Sequence, residues 1–249
     1  MPLSNVPSED SNKIMAFCIN LDRRPDRWEN AQKEWTKFSD VPKHLYRVKA
    51  VDTGSLAGCG QSHQLCVDHA KKNSYPWVLV LEDDIVFRPN AREIWAKQMR
   101  LLATQNRCDI FHPSLSGAIG VSKIADSIYS IRDGSGLFAT LYFASSYDTV
   151  LAWRSEYRHL DRWLSSHPNL LNLTSVPFLA TTTDGKSDIR QKEVVDTVEI
   201  TKTEKQIASI NVTIVANPQT KFGNPNPTNM VQTKDGRMLR KTVGARFGH

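Results

Sequence analysis

The chain is poor in cysteine, in long apolar runs and in unbalanced charge, and each shortage removes a class of protein. Its four cysteines, Cys18, Cys59, Cys66 and Cys108, include no CxxC pair and no histidine spacing of the zinc-ribbon type, which argues against a disulfide scaffold or a zinc fold and predicts buried free thiols. No apolar run approaches the ~18 residues of a membrane span. The start, MPLSNVPSEDSNK, is polar and acidic rather than basic then apolar, so the sequence predicts neither signal peptide nor span, and a cytoplasmic location, with peripheral membrane contact as the remaining option. The glycosylation-type triplets at Asn172 and Asn211 carry little meaning without secretion.

The net charge of +6 points first to nucleic acid, but its location points elsewhere. Residues 1–189 hold 22 Lys+Arg against 21 Asp+Glu, so nearly all the excess lies in residues 190–249. Lys221, Lys234, Arg237, Arg240, Lys241 and Arg246 face Asp235 alone, in a stretch rich in Gly, Asn and Pro. That composition predicts a disordered tail with weak contact to anionic surfaces and no specific nucleic-acid partner.

What the chain does have is strands that end in acids. In YPWVLVLEDDIVFRP, Val78 to Leu81 form a short β-branched-rich run, the pattern of a strand buried on both faces. Glu82, Asp83 and Asp84 follow at its carboxyl end, where open α/β sheets bind ligands. Strand alternation would put Glu82 and Asp84 on one side and Asp83 on the other. Carboxylates that close repel unless compensated, and oxygen-only ligands favour Mg²⁺ or Mn²⁺. A solvated loop cluster is the plainer reading.

The pattern recurs along the chain. Ile14 to Leu21 reads as a strand breaking at Asp22. RPDRWENAQKEWTKF places Trp28, Ala31, Trp35 and Phe38 at helical spacing behind Pro25. HLYRVKAVDTGS is a strand ending near Asp52, and GCGQSH predicts a tight glycine turn with a helix starting near Gln61 or Ser62. NAREIWAKQMRLLATQ predicts a helix whose buried side carries Ile94, Met99, Leu101 and Leu102. Alternating strands and helices predict an α/β fold with a mostly parallel central sheet and flanking helices. Further on, short strands are expected at CDIFHPS, SIYSI and LFATLYFAS, helices at SYDTVLAWRSEY and HLDRWLSSH, an extended piece at TSVPFLATT, and a hairpin between Val194 and Ala216, where apolar residues alternate.

Three segments in this order, INLDRRPDRW, AVDTGS with GCGQSH, and VLEDDIVF, resemble glycosyltransferase family 25, the family of bacterial lipooligosaccharide galactosyltransferases and collagen hydroxylysine galactosyltransferases. FASSYDTVLAW, LDRWL and VPFLATTTDGKSDI extend the resemblance, which covers roughly residues 14–189. It implies a GT-A-type fold: a flexible N-terminus over residues 1–13, a donor-binding half over 14–110, an acceptor half over 111–189 and an appendage over 190–249. It further implies inverting transfer of a hexose, usually galactose, from a UDP-sugar to a hydroxyl of a glycan, glycolipid or protein. By resemblance, Asn20, Leu21, Arg24, Asp52, Ser62, His63, Glu82 and Asp83 contact the donor. Asp84 with Glu82 would hold Mn²⁺ or Mg²⁺ against the leaving diphosphate. Asp161 would be the base that takes the acceptor's proton, and Asp188 has a weaker claim to a role.

Each residue also has a plainer reading. Arg23, Arg24 and Arg27 could be a solvated helix start, Asp52 an acid that merely makes a turn, His63 a packing residue and Asp161 a helix cap. A catalytically inactive glycosyltransferase-like binding protein and a magnesium-dependent phosphatase or nucleotidase are the alternative functions.

Overall fold

The computed structural model describes residues 2–157, 159–183, 185–186, 193–194, 196–210, 230–232 and 238–240. Asp188, Asn211 and most of the basic tail lie outside them. The chain divides into two units, Met1–Val215 and Ala216–His249. In the second, Met230–Gln232 pairs antiparallel with Met238–Arg240.

The first unit begins with β1 (Ala16–Asn20), α1 (Pro25–Phe38), β2 (Leu45–Lys49), α2 (Leu56–Lys72) and β3 (Trp77–Glu82). After a turn come β4 (Ile85–Phe87), α3 (Ala91–Ala103) and β5 (Ile110–His112), then three short strands, β6 (Gly117–Ile119), β7 (Ser122–Ala125) and β8 (Ile128–Ile131). β9 (Asp133–Ser135), β10 (Ala139–Phe143), α4 (Tyr147–Ala152), α5 (Leu160–Ser166), β11 (Asn172–Ser175), β12 (Ala180–Thr182) and α6 (Asp196–Ala208) follow. Eight strands form one sheet in the order β2-β1-β3-β10-β5-β11-β8-β7. The first three are mutually parallel, as the alternating strands and helices predict. Beyond them only β5 and β11 pair in parallel, and the other neighbours are antiparallel.

β3 shows why the sheet lies where it does. Leu79 and Leu81 enter one core with Trp35, Phe38 and Trp95, while Val78 and Val80 enter a second with Cys66, Val67 and Tyr142. The strand is buried on both faces, each side chain contributing about 1.5–3 kcal/mol, and α1 and α3 cover the first face while α2, α4 and α5 cover the second. The order β2-β1-β3 also creates a switch point. The chain leaves β1 to one side through α1 and crosses back over it through α2, opening a crevice outside the carboxyl ends of β1 and β3.

Three expectations change. α2 starts at Leu56, so Gly58 and Gly60 lie inside the helix rather than in a turn. Close approach explains them: a Cβ on Gly58 would stand 2.3 Å from the Val51 carbonyl oxygen and one on Gly60 2.6 Å from the Trp153 ring. The stretch expected as a hairpin holds α6, because Ile200, Thr203 and Ile207 recur at helical spacing and are buried against the first unit. That unit therefore continues past residue 189. The N-terminal residues, expected to be flexible, dock on α3 and its end: Trp95 Nε1 donates to the Ser8 carbonyl at 2.9 Å, Leu3 N to Gln105 O at 2.8 Å, and Arg100 pairs with Glu9 at 2.6 Å.

Asn172, a glycosylation-type asparagine in the sequence, is buried in β11, where its Oδ1 accepts from His112 Nε2 at 3.0 Å. Its side chain is committed to the core. Among the described residues no helix is long and apolar enough to cross a membrane.

Candidate functional site

The crevice is lined by Ile19, Leu21, Arg23, residues 50–55, Cys59, Ser62, Glu82 and Asp83. Each strand end delivers part of it. β1 ends at Asn20, level with Lys49 of β2, and Ile19 pairs with Glu82 across β1 and β3. The loop after β2 brings Asp52 over the opening, where Arg23 Nη1 donates to Asp52 Oδ2. Asp52 Oδ1 also accepts from Gly54 N at 3.3 Å. Asp52 thus both makes the turn and lines the crevice.

The three acids separate. Glu82 ends β3 on the face of Val78 and Val80, so alternation aims it at α2, and its Oε1 lies 3.6 Å from Cys59 Sγ and 3.6 Å from His63 Nε2. The backbone then turns at Asp83 and Asp84, which ends the alternation that would have set Asp84 beside Glu82. Asp83 is buried, accepting from Asn20 Nδ2 at 2.6 Å and Arg27 Nη1 at 3.2 Å. Burial raises its carboxyl above the ordinary value, against the lowering by Asn20 and Arg27. Asp84 Oδ2 lies 3.6 Å from the same Arg27 nitrogen.

The other expected residues divide in the same way. Leu21, Asp52, Ser62, Glu82 and Asp83 line the crevice, whereas Asn20, Arg24 and Asp84 do not. Asn20 is fully buried, and its polar atoms serve Asp83, the Arg24 carbonyl at 2.9 Å and Arg47 Nε at 2.7 Å. It organises the strand end. Arg24 grips Asp26 through two nitrogens, at 2.9 and 2.7 Å, holding the Asp26 carboxyl down to about 2. Ser62 Oγ bonds the Gly58 carbonyl at 2.7 Å and accepts from Val51 N at 2.8 Å, stitching α2 to the loop that carries Asp52. His63 is fully buried, and its Nδ1 lies 3.0 Å from Tyr142 Oη.

Asp161 occupies the first turn of α5, outside the crevice lining. Its carboxylate accepts from Gly136 N at 3.1 Å and Arg162 N at 2.7 Å, so it ties the loop before β10 to the helix start. Its charge still reaches the crevice. The Cys59 thiol is pushed well above its ordinary range by burial first, then by Glu82, with Asp161 and Asp84 adding to the effect.

Cys59 is the residue that sequence reasoning passed over, along with Tyr142. Cys18, Cys66 and Cys108 are the buried free thiols expected, but Cys59 is half-buried at the crevice wall. Its ligand atom, with those of His63 and Glu82, forms a group lying within 4.8 Å of one another. The signal was present as a Cys-x-x-x-His spacing, which on a helix puts both side chains on one face.

A comparison with curated proteins finds no match. Among solved structures, a glycosyltransferase involved in glycosylation of the major capsid of PBCV-1 resembles the chain at 11% identity and a TM-score of 0.47, over 75% of this chain and 98% of that one. The A197 protein from STIV does so at 9% identity and a TM-score of 0.44, over 73% and 92%. Nothing about activity rests on likenesses of that size. Residues 37–109 match the family described as glycosyltransferase family 25 (LPS biosynthesis protein). That stretch holds Asp52, Cys59, Ser62, His63 and the Glu82–Asp84 turn, and across it the chain is similar to glycosyltransferase family 25.

Proposed function

We propose that the chain binds a UDP-hexose in the crevice between β1 and β3, within a GT-A-type fold, and transfers the sugar, galactose as the resemblance implies, to a hydroxyl of a glycan or glycoconjugate acceptor with inversion. The observation carrying this reading is the coincidence of the family-matched stretch with the switch-point crevice, whose wall holds Asp52, Ser62, Glu82 and Asp83.

In this reading Asp52 accepts from a ribose or uracil donor group, and Arg23 beside it meets diphosphate charge. The acceptor oxygen attacks the anomeric carbon as the bond to the diphosphate breaks, and Asp161 takes the acceptor's proton. The Gly136 and Arg162 N–H groups hold the Asp161 carboxylate in one orientation. UDP leaves with the electrons of the broken bond. Mn²⁺ or Mg²⁺ at Asp84 and Glu82 does not fit the arrangement present: Asp84 is engaged by Arg27, and Glu82 converges with a thiol and an imidazole instead.

Incubating the full chain with a panel of UDP-sugars and simple glycan acceptors, and scoring free UDP and glycosylated product, tests the reading. Turnover confined to one UDP-hexose supports it. Hydrolysis of phosphomonoesters without sugar selectivity would favour a phosphatase instead, and UDP-sugar binding without turnover would favour an inactive binding protein.

A further inference from the structure

We propose that Cys59, His63 and Glu82 form a zinc site at the wall of the crevice, with its fourth position open toward the crevice. Cys59 and His63 lie one turn apart on α2, so the helix itself sets their separation, and Glu82 arrives from the end of β3 on the α2 side of the sheet. Tetrahedral zinc with bonds of about 2.0–2.3 Å separates neighbouring ligand atoms by roughly 3.3–3.8 Å. Glu82 Oε1 is 3.6 Å from both partners, and all three ligand atoms fall within 4.8 Å. A small closure completes the triangle.

A second observation concerns how the ring of His63 is satisfied. His63 is fully buried, and its Nε2, the atom facing Glu82, has no hydrogen-bond partner. Leaving a buried ring nitrogen unsatisfied is destabilising, and a metal bond would satisfy it. Tyr142 Oη on Nδ1 is the outer partner that metal-bound histidines require: with the Nδ1 proton donated to it, Nε2 presents its lone pair. Thiolate, imidazole and carboxylate together select zinc over Mg²⁺ or Mn²⁺. Three protein ligands leave one position, and Cys59 and Glu82 both border the crevice. Binding would release the Cys59 proton.

The test uses the full chain with Zn²⁺ or Co²⁺ alone, so it does not depend on sugar transfer. About one zinc per chain by equilibrium dialysis, and a thiolate-to-cobalt charge-transfer band, are expected. Cys59→Ser should abolish the band and weaken zinc at least tenfold, while Cys66→Ser leaves both intact. Should Cys59→Ser melt early without metal, Glu82→Gln serves as the second variant, because Glu82 is partly exposed. It should weaken zinc tenfold while keeping the band. Tyr142→Phe, a positioning change, should weaken zinc ten- to a hundredfold. Absence of stoichiometric zinc, or a cobalt spectrum that survives Cys59→Ser, overturns the proposal. Since UDP-sugar turnover is scored separately, the failure of either reading leaves the other standing.

Discussion

Tyr142 Oη lies 3.0 Å from His63 Nδ1 with both side chains buried, joining β10 to α2 beneath the crevice. The bond fixes the ring so that Nε2 faces Glu82. Tyr142→Phe would leave Nδ1 unsatisfied as well and should cost about 1–3 kcal/mol, read as a lower urea midpoint with unchanged slope. An unshifted midpoint would mean that this bond adds nothing to the fold.

Asp161→Asn should cut sugar transfer by roughly a hundredfold or more while leaving UDP-sugar affinity near that of the unaltered chain, the pattern of a lost transition-state interaction. The product should carry a β linkage from an α-linked donor. Near-normal transfer by the variant would return Asp161 to its structural task of tying the Gly136 loop to α5, and a retained α linkage would refute inversion.

Gly60→Ala should destabilise the chain by about 1–3 kcal/mol even though alanine favours a helix over glycine, because the new methyl meets a buried indole. Gly58→Ala should cost at least as much, since its obstacle is the Val51 backbone carbonyl. Chemical denaturation checks both. A gain in stability for either would show that α2 can shift away from Trp153 or the Asp52 loop without penalty.

Burial holds the His112 imidazole down to about 4, well below the ordinary value of 6.5, with the Asn172 hydrogen bond and then the Asp161 charge acting the other way. The unfolded chain therefore takes up a proton at His112 before the folded chain does. This histidine's contribution is fully present above about pH 6.5 and is lost as pH falls toward about 4, by up to ~3 kcal/mol. Urea midpoints measured across that window should fall with pH, and the fall should be shallower in His112→Gln. Parallel pH profiles for the two proteins would contradict it.

Much of the stretch from residue 14 to 110 was legible in the sequence, because there local pattern and burial agree. The apolar run from Val78 to Leu81 needs cover on both faces, so a central strand was its one comfortable place, and the acids after it had to emerge at the strand's carboxyl end. Trp35 and Phe38 fall on one face of α1 by spacing alone. Asp52 was legible as an acid at a strand's end and Ser62 through the resemblance to family 25, and both line the crevice.

What the sequence could not decide was where alternation stops and what a neighbour demands. Glu82 and Asp84 share a face only while the strand continues. The turn at Asp83 sends Asp84 to Arg27 and leaves Glu82 with Cys59 and His63. Glycines at 58 and 60 read as a turn because the carbonyl of Val51 and the ring of Trp153, which exclude a methyl there, come from distant parts of the chain. The apolar alternation after Val194 read as two strands because the core that Ile200 and Ile207 enter, and the Ser116 carbonyl that Thr203 reaches, come from distant parts of the chain. The sequence by itself determined the α/β order and the acid-ended strands, since these rest on contacts close along the chain. Which carboxylate meets which partner was decided by tertiary structure, because side-chain direction at a strand end depends on a backbone turn and on residues far away in sequence.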